Sequence, residues 1–188
     1  MTVRLILIAH ASTAAVVRAA FPLDEPLDAH GMAKAEAAGA TLGKFDRAWC
    51  SPSRRAVETA TALRLKAKAE PELRDCNFGR WAGRSFDEVE AAEPEAVAAW
   101  TRDPGAAPHG GESVLELLAR VGAWLDLQAS GKGRVAAVTH ASIVRAAVVS
   151  VIGAAPETFW QLDIGPLSRT TLSNNGKHWL LQSSNMRL

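Results

Sequence analysis

Val3-Arg4-Leu5-Ile6-Leu7-Ile8-Ala9-His10 and Arg134-Val135-Ala136-Ala137-Val138-Thr139-His140 are the two stretches that decide the fold. Each is a short aliphatic run of the length of a buried strand, and each ends on a histidine. In an open α/β sheet, ligands bind beyond the carboxyl ends of the strands. The two runs therefore predict that two titratable side chains reach the same edge of one sheet.

Working outward, strand-like and helix-like segments alternate, the pattern of an α/β fold with a largely parallel sheet. Gly31 to Lys44 reads as a helix and Asp46 to Cys50 as a short strand. Ser51-Pro52 then opens a helix, with serine as its cap and proline at its first position. Lys66 to Glu70 reads as a third strand, and Pro71 to Gly83 as a structured loop anchored by Phe78 and Trp81. Two short helices follow, Phe86 to Ala92 and Pro94 to Trp100. Ser113 and Glu116 form a capping box. Behind it Val114, Leu117, Leu118, Val121, Trp124 and Leu125 recur at helical spacing. Ser142 to Ile152 reads as a helix, and Thr170 to Ser173 with His178 to Gln182 as a closing hairpin. The expected architecture is a three-layer α/β/α sandwich around a mostly parallel sheet, in one domain over residues 1–188.

The composition narrows the function classes. A net charge of +1 gives no reason to expect nucleic acid or membrane as a partner, and 48% hydrophobic residues supply a sizeable core. Cys50 and Cys76 are the two cysteines, too few for a disulfide scaffold or a four-cysteine zinc site. The apolar run Leu5 to Ala9 is too short for a signal peptide, and no run is long enough to span a bilayer. The expectation is a cytoplasmic protein.

Polar residues cluster in five places. His10 ends the first strand, and Arg55 lies in the first turn of the helix after Ser51-Pro52. Arginine there opposes the helix dipole, so this is either a solvated surface helix or an anion site with a bidentate fork. Leu73 to Gly83 has the spacing of a fixed loop that presents one carboxyl group, Asp75. Gly110-Gly111-Glu112-Ser113 precedes a helix, and Val138 to Arg145 carries His140. His30 and His109 read as loop residues, His178 as a surface-strand residue. The six tryptophans read mostly as core or rim, and Phe159 and Trp160 fit a dimer face as well as the core.

This ordered set resembles the histidine phosphatase superfamily, in the branch of cofactor-dependent phosphoglycerate mutases and small phosphatases. Pro26-Leu27-Asp28-Ala29-His30-Gly31, with Ala35 and Gly39, is similar to a further family segment. The resemblance implies a phosphohistidine mechanism that requires no metal or cofactor. His10 would be the nucleophile, and Arg55 and His140 would hold the phosphoryl oxygens. Asp75 would protonate the leaving oxygen and then activate water. Ser12, Thr13, Arg18, Glu112 and Ala141 join Arg55 as candidate substrate-binding residues. The implied ligand is a small phosphorylated or anionic molecule, and a homodimer is compatible with the sequence.

The chain departs from the family at one position that matters most. Ala9-His10-Ala11 stands where the family carries Arg-His-Gly. Losing a phosphate-clamping arginine without replacement would cost roughly 3–4 kcal/mol of transition-state stabilisation, about 10²–10³ in rate. Val16 replaces a phosphate-binding asparagine, and Asp75 is one methylene shorter than the family's glutamate. Arg18, Arg74, Arg80, Arg84, Arg145 and Arg169 are candidate substitute cations, with Arg18 preferred because it follows the nucleophile loop. Two readings stay open. One is a phosphatase acting through His10. The other is a weak or silent relative that binds an anionic ligand in a regulatory role.

Overall fold

A computed structural model describes residues 2–188. Within them, the strands are β1 (Val3–Ala9), β2 (Arg47–Cys50), β3 (Lys68–Ala69), β4 (Gly133–Thr139), β5 (Ser168–Asn174) and β6 (Trp179–Arg187). They form one sheet in the order β3-β2-β4-β1-β5-β6. The first four strands in chain order run parallel, β5 is antiparallel to β1, and β6 is antiparallel to β5. The helices are α1 (Ala14–Val17), α2 (Ala29–Gly39), α3 (Arg54–Ala62), α4 (Phe86–Ala92), α5 (Pro94–Arg102), α6 (Val114–Ala129) and α7 (Ala141–Ile152).

The continuous apolar runs of β1 and β4 reflect burial on both faces, as expected for central parallel strands. Val3, Leu5, Leu7 and Ala9 of β1 share a core with Leu117, Val121 and Trp124 of α6 and Ile143 and Val144 of α7. Ile6 and Ile8 point to the other face, where Ala38 of α2 and Ala56 and Ala60 of α3 cover them. This is the expected three-layer arrangement. A third cluster of Phe21, Trp81, Val89, Val97 and Trp100 includes residues of α4 and α5 and meets the first core through Phe78 and Trp160.

The β1–β4 register fixes the site. Ala9 pairs with Thr139, so His10 and His140 leave adjacent strands at the same level. The His10 backbone N–H donates to the Thr139 carbonyl at 2.8 Å, extending the ladder one residue past β1.

Several boundaries differ from the sequence reading. The segment after His10, read as loop, contains the short α1, capped by the Thr13 hydroxyl. α2 starts earlier than Gly31 because Asp28 caps it through the Gly31 N–H, and it ends at Gly39. Gly31 itself is required sterically, since a Cβ there would stand 2.4 Å from the Ser12 carbonyl oxygen. α3 begins at Arg54, with Ser53 as cap position and no side-chain cap bond. Ser51 stands two residues before the cap position, where its hydroxyl accepts the Ser53 N–H at 3.3 Å and bonds His140 Nε2 at 2.8 Å. Asp24 serves the helix instead, accepting the Arg54 N–H at 2.7 Å. β3 keeps two of the five residues expected, while the closing hairpin is longer than expected. His30 lies on α2, and His109 is buried, 1% exposed, among Trp81, Trp100 and Phe78.

Candidate active site at the carboxyl edge of the sheet

Four side chains meet where β1 and β4 end. The His10 Nδ1 lies 2.8 Å from the Ala11 carbonyl oxygen. A carbonyl only accepts, so Nδ1 carries the proton and Nε2 holds the lone pair. Arg55, from the first turn of α3, donates its Nε–H to that Nε2 at 3.3 Å. Burial, with Arg55 adding to it, holds the His10 pKa below its usual value against the opposing Ala11 bond. His10 is thus a neutral imidazole with its unprotonated nitrogen against a guanidinium.

Arg55 is 2% exposed and makes contact through all three nitrogens. Besides His10, its Nη1 donates to the Leu23 carbonyl at 2.6 Å and its Nη2 to Asp75 Oδ2 at 2.8 Å. Glu25 lies 3.9 Å from Nη1. Asp75 also accepts bonds from the Ser142 hydroxyl and the Cys76 N–H on Oδ1. Burial works to raise the Asp75 pKa, but His140, Arg55 and Ser142 outweigh it and hold the carboxyl down to about 2. His140 is 1% exposed, with Nδ1 3.3 Å from Asp75 Oδ2, a close approach without hydrogen-bond alignment. Burial pushes its pKa down to about 3 despite the neighbouring carboxylate. The His10 and His140 rings are 5.3 Å apart between centroids.

α7 opens at the same edge. Its cap position is His140, with no side-chain cap bond, so the first N–H groups, including that of Ala141, remain available to an anion. Glu112, in contrast, is engaged by Arg120 through two bonds of 2.7 Å. Arg120 also donates to the carbonyls of Glu72 at 2.6 Å and Arg74 at 3.1 Å, tying down the loop that ends in Asp75. Ser12 donates to Asp28 Oδ2 at 2.6 Å and Thr13 to Glu25 Oε1 at 3.2 Å. Both hold the loop after His10 against its neighbours.

The structure brings His10, Arg55, Asp75 and His140 together. Arg18 is exposed at the end of α1, with Glu88 as an electrostatic neighbour, and does not join them. Arg80 and Arg84 bind Glu93, Arg74 lies by Glu72, and Arg169 is exposed on β5. Sequence reasoning missed Ser51, Ser142 and Arg120. Ser51 and Ser142 lie within the motif segments, but only their contacts reveal what they do. Among the described residues, no set of three histidine, cysteine or acidic side chains is spaced to hold a metal ion.

The sequence matches the family model of the histidine phosphatase superfamily (branch 1) over residues 5–187. The chain belongs to the histidine phosphatase superfamily. Its relatives in that superfamily include the glucosyl-3-phosphoglycerate phosphatase of Mycolicibacterium vanbaalenii, 33% identical over 80% of this chain and 74% of that protein. Phosphoserine phosphatase 1 of Hydrogenobacter thermophilus is 28% identical over 84% of this chain and 80% of its own. A solved structure of a mycobacterial glucosyl-3-phosphoglycerate phosphatase in complex with VO3 superposes with a TM-score of 0.88. It is 28% identical and covers 97% of this chain and 98% of its own. The superfamily assignment supports a phosphohydrolase-type enzyme.

Proposed function

We propose that this chain hydrolyses a small phosphomonoester through a phosphohistidine on His10. One observation carries the reading. The Nε2 lone pair of a neutral His10 faces the Arg55 guanidinium at 3.3 Å, and the same guanidinium holds Asp75. In the first step Nε2 forms a bond to phosphorus and the ester P–O bond breaks. Asp75 gives its proton to the departing alcohol oxygen. In the second step water attacks phosphorus, Asp75 takes its proton, and the N–P bond breaks to release phosphate.

Asp75 is a carboxylate in the free protein, so the proton it gives must arrive with the substrate. A phosphate monoanion carries one, and a phosphoryl group drawn to Arg55 raises the affinity of the adjacent carboxylate for it. Arg55, His140 and the N–H groups opening α7 hold the phosphoryl oxygens in this scheme.

The test is a panel of phosphomonoesters assayed with the protein and with His10→Ala. Turnover lost in the variant, with a phosphoryl label trapped on the wild type alone, is expected. Equal residual activity in both would sink the proposal. The second reading, a silent anion-binding relative, rests on Ala9. It predicts saturable binding of inorganic phosphate without turnover of any ester in the panel.

A further inference from the structure

A cleft of about 160 Å³ opens on the side of Asp75 and Arg55, and its walls differ in kind from them. Phe21, Phe78, Phe86, Trp100, Phe159 and Trp160 line it. Three links tie it to the reacting groups. Ser142 lines the cleft and donates to Asp75. Cys76 lines it and directly follows Asp75. Pro22 lines it and directly precedes Leu23, whose carbonyl receives Arg55. A leaving oxygen protonated by Asp75 therefore has its alcohol portion at the mouth of this cleft.

We infer that the alcohol portion of the substrate carries an apolar ring. This rests on the phosphatase reading above and specifies its substrate class. Aromatic walls favour offset or edge-on contact with a flat partner. Phe21 and Phe78 already sit 5.1 Å apart, and Trp100 and Trp160 4.3 Å apart, between ring centroids. The charged residue in the lining, Arg145, is held into the wall by its Nε–H bond to the Leu162 carbonyl at 2.7 Å. Its guanidinium carbon stands 5.8 Å from the Phe159 ring centre, within cation–π reach. A cavity of roughly 150 Å³ in another protein holds a benzene ring, so this cleft accepts one ring and little more. A polyhydroxylated alcohol would leave its hydroxyls facing carbon, at the cost of their bonds to water.

The test compares alcohols of similar leaving ability. The expected result is that 2-phenylethyl phosphate is hydrolysed with a kcat/KM at least about tenfold above that of ethyl phosphate and of phosphoserine, from burial of the ring. Phe86→Ala, at a half-buried position, should reduce that ratio severalfold, and Trp160→Ala gives the same reading should the first variant fold poorly. Equal kcat/KM values for the ring and ethyl esters, or a ratio unchanged in a folded variant, would overturn the inference. If neither ester is hydrolysed, the phosphatase reading fails by itself. Tryptophan emission then decides on the cleft: saturable quenching by the ring ester alone supports it, and equal responses to both esters overturn it.

Discussion

Arg55 is the cation in direct contact with His10 and Asp75, and two carboxylates compete for it. Asp75 binds it at 2.8 Å and Glu25 stands at 3.9 Å. Where the family resemblance implies a second arginine, Ala9 is buried in the core with Leu73, Cys76 and Ile143. Such a site suits a singly charged phosphate better than a doubly charged one. Since the second ionisation of a phosphomonoester lies near pH 6, kcat/KM should fall about tenfold per unit above it. A rate profile flat from pH 6 to 8 would contradict this. Arg55→Lys keeps the charge and loses the fork, so kcat/KM should drop about 10²–10³ with the fold intact, read by steady-state kinetics beside circular dichroism. The four central residues were legible because each is quoted by a motif. Ser51 reads as a helix cap because its partner His140 is 89 residues away and invisible to local pattern. His109 was misread because nothing local announces the aromatic cage around it.

The elements that aim these residues are stabilised by a few polar devices. Arg120, on α6, grips Glu112 and two carbonyls of the loop before Asp75. Arg120→Lys keeps the buried charge but cannot span those acceptors. It should lower kcat about tenfold with a smaller change in KM, as expected of a group that positions the acid. A KM effect with unchanged kcat would argue for a role in binding instead. Ser113→Ala removes half of the capping box of α6 and should cost about 1 kcal/mol in denaturant unfolding. At element scale, the central strands and α6 were legible from apolar runs and spacing. α1 escaped because its four residues, Ala14-Ala15-Val16-Val17, are too few to show a period. The abundance of alanine blurred the ends of α2 in the same way, so the Asp28 cap became visible only through its bond to Gly31.

For the molecule as a whole, burying His140 neutral links stability to pH. Its pKa lies near 3 in the fold against 6.5 in an unfolded chain. In that window the unfolded state binds the extra proton, so the contribution is complete above pH 6.5 and is lost as pH falls toward 3. By pH 5 the loss relative to neutral pH should reach about 2 kcal/mol. Urea unfolding of His140→Asn should show a shallower fall between pH 7 and pH 5, and an unchanged slope would remove the assignment. Sheet order was legible only in part. The alternation of segments implies parallel strands, but the placing of β4 between β1 and β2 is decided by packing on both faces. The pairing of Ala9 with Thr139 has a further consequence, in time. A chain emerging residue by residue holds His10 and Arg55 early, yet cannot complete the site until β4 slots in beside β1. The capacity to be phosphorylated is therefore gained late in synthesis, after the last loop closure that the four residues require. Refolding followed by phosphoryl labelling should find it in the slowest phase, because long-range parallel pairing closes its loops last.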